Sequence, residues 1–405
     1  MNTIPKTAPG PALDRWTPAG LAAVALCFVI NMADGIDVTI LSYIAPRLQA
    51  DWAIGPELMG RLFSAGLLGM AIGGMFVAPL ADRFGRRPII LTALVAMTLG
   101  SLACAAASSL AELFAMRVLV GTGIGTVLAA MAALAAESAP TAHRDLAVGI
   151  VQAGYPFAAI FSGLIVAALL PSHGWRTMLL GAGLVTLVLL PAAWFILPRH
   201  APAPDRARGG HRLAHLFAPG YRGRTLALWG AVFFGLMVLY FIVSWIPKLA
   251  IEAGMSETDG IYAGAIYNFG AFAGTSLMSV LTTRVRLRVL VPTMLVGAAG
   301  TLLVFGAFAM PVALTLVVAL AIGVLLQGGY NGVWPIAAAA YPATIRATAV
   351  GWAIGIGRAG AIIGPLMGGY LLAAKVSLFT LFACFCGPLL ACALCAALVR
   401  REPCD

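Results

Sequence analysis

Asp34 and Asp37 stand three positions apart in an apolar stretch, residues 19–44, that is long enough to cross a lipid bilayer as a helix. An ionised side chain at bilayer depth costs at least about 2.5 to 3.5 kcal/mol. Such groups therefore face a protein interior or an aqueous cavity and mark the route of an ion or a solute. On a helix, residues three apart share a face and lie about 4.5 Å apart along the axis. Two carboxylates that close in poor solvent disfavour the doubly ionised state, so the pair is expected to take up and release a proton. No histidine competes for that role, because His143, His173, His200, His211 and His215 fall in loops or near span ends. The other reading of the pair is structural: helix-end carboxylates, or a hydrogen-bonded couple with no part in transport.

Arg117 and Arg358 are the arginines set deep in apolar stretches. Counted at about 1.5 Å per residue, Arg117 falls near the depth of Asp34, and the cost of leaving either charge alone predicts that the two pair. Arg117 is read first as that structural partner and second as a ligand for a substrate anion. Arg358 has no acid in the neighbouring spans of its own half, and its planar fork of donors suits a carboxylate supplied by a substrate. Hydrogen bonding to carbonyls freed near Gly364 and Pro365 is the competing reading of Arg358.

Gln327, Tyr330, Asn331 and Trp334 recur at i, i+3, i+4 and i+7, on one helical face that lipid should not see. That stripe is expected to line a cavity, with its rings stacking on a bound ring and its amides bonding a hydroxyl. Tyr267 and Asn268, Tyr240, Ser244 and Trp245, and Gln152 and Tyr155 are secondary candidates. Their alternative is interhelical hydrogen bonding or an interfacial aromatic belt. Trp245, beside Pro247 and Lys248, is read as belt.

The elements that must position these groups follow from composition. Of 405 residues, 61% are hydrophobic and 10% charged, against about a quarter charged in ordinary globular domains. Twelve apolar runs fall near 19–44, 58–81, 88–108, 111–137, 146–170, 176–197, 225–250, 261–283, 288–309, 313–340, 347–374 and 376–399. They lack strand alternation, so the expectation is an all-α membrane protein of twelve transmembrane helices. With the N-terminus in the cytoplasm, the opposite side receives only Arg47, Arg61, Arg176, Lys248 and Lys375. That bias places both termini inside. It also accounts for the net charge of +10 through anionic lipid headgroups, without nucleic acid.

Arg144, Ala147, Val148 and Gly149 recur 202 positions later as Arg346, Ala349, Val350 and Gly351, with Pro140 matched by Pro342. The displacement is half the chain. It predicts two six-helix bundles, residues 1–198 and 225–405, joined by a cytoplasmic linker, 199–224, with a site between them.

After the second span comes Leu80-Ala81-Asp82-Arg83-Phe84-Gly85-Arg86-Arg87, a tight turn with one acid and three bases. With the span count and the repeat, it resembles the signature of the major facilitator superfamily over the whole chain. The resemblance implies that fold, and it implies that Asp82, Arg83, Gly85, Arg86 and Arg87 form a conformational-switch loop. There the acid meets neighbouring helix ends and the bases latch the two halves. Ala78 stands where the pattern usually begins with Gly, and the second-half counterpart, Thr282 to Arg288, has lost its acid. The latch is therefore expected to be asymmetric. Asn31-x-x-Asp34-Gly35-Ile36-Asp37, followed by Tyr43-Ile44-Ala45-Pro46, resembles the aromatic acid:proton symporter branch. In that branch the paired aspartates are held to be needed for transport.

The combined expectation is a monomeric carrier in a bacterial inner membrane that imports a small carboxylate, most simply an aromatic acid, by alternating access. Protons are its coupling ion, and no other cofactor, metal or catalytic residue is expected. Asp34 and Asp37 would bind the proton, Arg358 and Arg117 the anion, and the stripe from Gln327 to Trp334, with Tyr267 and Asn268, the ring. A proton on one aspartate would offset the arriving carboxylate and lower the desolvation cost of reorientation. The alternative is a drug or metabolite:proton efflux antiporter of the same fold, although the fifth span reads Gly154-Tyr155-Pro156-Phe157 without the GxxxGPxxGG pattern such carriers share. A membrane enzyme is disfavoured by the absence of HExxH, a nucleophile elbow or clustered Cys and His ligands. A sensor is disfavoured by the shortness of the loops and tails. Gly69 with Gly73, Gly121 with Gly125, and Gly360 with Gly364 are read as close helix contacts. The seven cysteines are read as small hydrophobes. Glu137 is expected to bond Arg144 or a backbone amide.

Overall fold

The computed structural model describes residues 15–197 and 213–399, and every regular element among them is helical. The chain enters α1 (Pro18–Trp52) through Thr17, whose hydroxyl caps the Gly20 amide. It leaves α1 through Ala53, held at φ 49. Then follow α2 (Pro56–Ile72), α3 (Leu80–Phe84), α4 (Arg86–Ala106), α5 (Leu110–Ser138) and α6 (Arg144–Ile196). The second set is α7 (Arg222–Glu252), α8 (Glu257–Leu281), α9 (Leu287–Ala307), α10 (Val312–Asn331), α11 (Val333–Ala339), α12 (Ala343–Ala373) and α13 (Leu378–Leu398). Among the described residues, ten helices are long and apolar enough to cross a membrane.

The expected spans meet these helices with two informative differences. Residues 146–170 and 176–197 fall on two helices that run on within α6 and are divided where the backbone leaves helical geometry at Gly174 (φ 73, ψ 169). Trp175 at that turn bonds Asp51 at the close of α1, and Trp194 returns to Arg87 at the start of α4, so α6 doubles back. The run expected as one helix over 58–81 ends its α-helical part at Ile72 and continues as a π-turn, Gly73–Val77. There Gly73 rests on the Thr122 carbonyl of α5, with no room for a Cβ. The run expected over 313–340 divides at Gly332 into α10 and α11. The expected linker, 199–224, lies partly outside the described residues. Its described end forms a short turn, Leu213–Phe217, whose Leu216 carbonyl accepts a 2.8 Å bond from Thr225.

Glycines set the closest helix approaches. A Cβ on Gly121 would meet the Gly66 carbonyl, and one on Gly125 the Met70 carbonyl, so α2 and α5 touch backbone to backbone. Gly360 and Gly364 do the same against Phe233 and Met237, joining α12 to α7.

Among the described residues, the two sets of helices meet in the middle and at one end. Call the end where α1 begins the near end and the end where it finishes the far end. One apolar core takes the far-end residues of α1, α2 and α6, among them Tyr43, Leu48, Phe63 and Trp175, together with the interior of α7 to α13. The near-end residues of α1, α4 and α5, such as Cys27, Ile90 and Leu134, form a separate core within the first set. Hydrogen bonds across the sets follow the same division. Ser42 donates to the Val243 and Ser244 carbonyls at 2.9 and 2.8 Å, and Ser64 to the Ile362 carbonyl at 2.7 Å. Arg47 pairs with Glu257 at 2.8 Å, and Arg61 reaches the Tyr370 hydroxyl at 2.9 Å. All five lie in the middle or far part of their helices.

Candidate functional site

Both aspartates are turned inward, Asp34 at 2% and Asp37 at 4% exposure. Their environments differ. Asp37 accepts both arms of Arg117, which is 3% exposed, at 3.0 and 3.1 Å in a bidentate pair, and its Oδ1 also accepts the Ser101 hydroxyl of α4 at 3.1 Å. Asp34 leaves Oδ1 without a hydrogen-bond partner among the described residues, as does Asn31 one turn earlier, whose amide nitrogen is committed to the Val151 carbonyl at 2.6 Å. The expected Asp34–Arg117 pair is therefore replaced by Asp37–Arg117. Depth fixes position along a helix but not around it, and three residues fall short of a full turn, so the two aspartates point at different neighbours.

A cavity of about 30 Å³ opens beside the ion pair, lined by Asp37, Phe63, Arg117, Tyr240 and Ser244 among others. It lies on the seam between the two sets of helices, where α1, α2 and α5 face α7. Arg358, half-buried on α12, completes the charged centre from the second set. Its charge acts on Asp34 across the seam, and its guanidinium lies beside the Tyr240 hydroxyl. The acid that Arg358 lacks in its own half is thus supplied by the other.

The remaining predicted residues divide. Tyr267 and Tyr330 are buried with hydroxyls that have no hydrogen-bond partner among the described residues, and Tyr330 lies within electrostatic reach of Tyr240 and Arg358. Trp334 stands edge-on to Tyr330, with centroids 6.0 Å apart. Gln327 and Asn331 are bonded to each other at 3.2 Å, and Asn331 donates to Thr275 of α8 at 2.8 Å, so this half of the stripe joins helices. Asn268 donates to the Gly264 carbonyl of its own helix at 2.9 Å and lies 3.5 Å from the Tyr43 hydroxyl. Trp245, read as belt, is fully buried; its indole donates to the Pro365 carbonyl at 3.0 Å and its ring meets Phe63 edge-on at 5.2 Å.

In the loop motif, Gly85 adopts φ 91, ψ 153, a conformation a Cβ would strain. Arg86 grips Glu137 of α5 through two bonds of 2.7 and 2.9 Å, so Glu137 is held by Arg86 and not by Arg144. Arg87 bonds the Trp194 carbonyl and covers its ring, and Arg83 covers Phe84. These contacts tie the first set of helices together at its near end. The Asp82 side chain lies outside the described residues. Sequence reasoning missed Ser101 altogether and ranked Tyr240 and Ser244 low, because a lone serine or tyrosine in an apolar helix carries no spacing signal.

An all-helical bundle with a buried ion pair against a cavity at its central seam is the build of a membrane solute carrier. The Major Facilitator Superfamily profile matches residues 27–334. The gallate transporter of Pseudomonas putida is 34% identical over 404 residues, covering 92% of this chain and 90% of that one. The 4-hydroxybenzoate transporter PcaK of Pseudomonas aeruginosa is 31% identical, covering 86% of this chain and 85% of its own. The crystal structure of a D-xylose-proton symporter, 16% identical, superposes with a TM-score of 0.77 over 94% of this chain and 98% of that one. The chain belongs to the major facilitator superfamily, and it is a multi-pass membrane transport protein, not an enzyme.

Proposed function

We propose that the chain imports a small aromatic carboxylate together with protons, by alternating access between two six-helix bundles, residues 1–198 and 225–405. In this reading α6 crosses twice and α8 once, making twelve spans with both termini cytoplasmic. The chain works as a monomer with no resident cofactor. The relatives named for gallate and 4-hydroxybenzoate transport support the substrate class.

The observation that carries the coupling is Asp34: a buried carboxylate with an unpartnered oxygen, in electrostatic contact across the seam with the half-buried Arg358. An ionised Asp34 competes with a substrate carboxylate for the Arg358 charge. A protonated one releases Arg358 to the substrate, so that acid and proton load together. Asp37 is the second proton site, since protonation would break its bidentate hold on Arg117. Arg117, occupied by Asp37, is a weaker candidate for the anion than Arg358. Tyr240, Tyr267 and Tyr330 offer hydroxyls and ring faces to the aromatic part.

Uptake of labelled benzoate, 4-hydroxybenzoate and protocatechuate into proteoliposomes under an inward proton gradient tests this. Accumulation should collapse with a protonophore. Arg358→Ala should raise KM about thirtyfold or more, the consequence of removing a half-buried charge partner worth at least about 2 kcal/mol. Absence of accumulation for every aromatic acid, with proton-driven extrusion of a drug instead, would establish the efflux alternative.

A further inference from the structure

The ion pair has a third member that family resemblance and spacing did not bring to notice. Ser101 of α4 is 1% exposed, and its hydroxyl donates to Asp37 Oδ1 at 3.1 Å. A serine or threonine inside a helix ordinarily satisfies its hydroxyl on the carbonyl three or four residues back. Thr98, one turn earlier on α4, does this, bonding the Leu94 carbonyl at 2.8 Å. Ser101 instead spends its only proton on the carboxylate of another helix. One turn further on, the buried Cys104 places its sulfur beside the Arg117 guanidinium. A single face of α4 therefore spans both members of the pair, and its small side chains leave them in a tight, apolar setting.

We propose that Ser101 is a positioning residue for the Asp37–Arg117 pair: it holds the ionised carboxylate in register with the guanidinium and so sets the pH at which the pair opens. The inference rests on the reading of Asp37 as a proton site. The ionisable groups around that site are Arg117 on α5, Asp34 on α1, Cys104 on α4 and Tyr240 on α7, with Tyr155 on α6 and Arg358 on α12 acting on Asp34. None of them takes the place of the Ser101 hydroxyl, which can donate to an ionised Asp37 and accept from a protonated one. Its bond to the ionised form is the stronger of the two, because it is charge-assisted. Loss of the hydroxyl therefore weakens the hold on the ionised form more than on the protonated one.

The test is proton-driven uptake of labelled 4-hydroxybenzoate by proteoliposomes, measured against external pH. In Ser101→Ala the alkaline limb of the curve should move upward by about one pH unit, the size expected for a lost hydrogen bond to a charged group. Ser101→Thr, which keeps the hydroxyl, should restore the original curve. A purely structural serine would scale the curve without moving it, and that result overturns the proposal. Should the alanine variant fail to reach the membrane, Ser101→Cys, of similar volume and weaker donor strength, should show a displacement of the same sign, and an unmoved curve is equally fatal. Asp37→Asn separates the two readings. If that variant still accumulates acid against a gradient, Asp37 is not a proton site. If it does not, while the Ser101→Ala curve stays in place, only the role of Ser101 is refuted.

Discussion

At the scale of single residues, the site is a problem in where to put charge. Asp37 and Arg117 are almost fully buried and neutralise each other, so removing one leaves the other stranded. A stranded buried charge costs about 3 to 5 kcal/mol, whereas replacing both members is often nearly neutral. Arg117→Ala should therefore lower the thermal stability of the purified carrier sharply, and adding Asp37→Asn should recover most of the loss without recovering transport. Thermal unfolding in detergent followed for the two variants checks this; equal stability of Arg117→Ala and the parent would mean the pair is not formed. The acids and both arginines were legible in the sequence because charge inside an apolar run is conspicuous. Their pairing was not, since Asp34 and Asp37 differ by less than one helical turn and depth alone cannot say which faces α5. The Ser101 bond was invisible for a related reason: it depends on how α4 is rotated.

At the scale of elements, glycine decides how near the helices come. Gly121 sits against the Gly66 carbonyl with no room for a methyl group, while Gly149 has nothing within 4 Å. Gly121→Ala should therefore destabilise by about 1 to 3 kcal/mol through overpacking, and Gly149→Ala should stabilise by roughly 0.5 to 1 kcal/mol through helix propensity. Melting the two variants side by side checks the sign, and a loss of stability in both would show that backbone contact is not what singles out Gly121. Helix positions were largely readable from apolar length, and the paired glycines were readable as contact points. The π-turn at Gly73–Val77 and the break at Gly332 were not. Both sit where a neighbouring helix presses on a glycine, and a hydropathy window records composition without pressure. Trp245 was misplaced on the same account: beside a proline and a lysine it looks interfacial, yet its indole pins α7 to the Pro365 carbonyl.

At the scale of the whole molecule, the described helices of the two sets share one buried core at the far end, while the near-end core draws its buried residues from the first set. The far end is therefore the closed end of the described helices. The Arg47–Glu257 pair that crosses the closed end is more than 30% exposed on each side chain and so contributes little. The closure is held chiefly by apolar packing around Tyr43, Phe63 and Trp245, and opening it must expose that surface. In the proposed mechanism, Asp34 with its unpartnered Oδ1, Arg358 across the seam and the Asp37–Arg117 pair reach a lower-charge state before the halves exchange partners. The most direct test follows proton and acid together, with a pH dye sealed inside proteoliposomes and labelled 4-hydroxybenzoate outside. The parent protein should acidify the lumen as the acid enters and accumulate it against its gradient; Asp34→Asn and Asp37→Asn, correctly folded, should do neither. Undiminished acidification and accumulation in both variants would contradict the account.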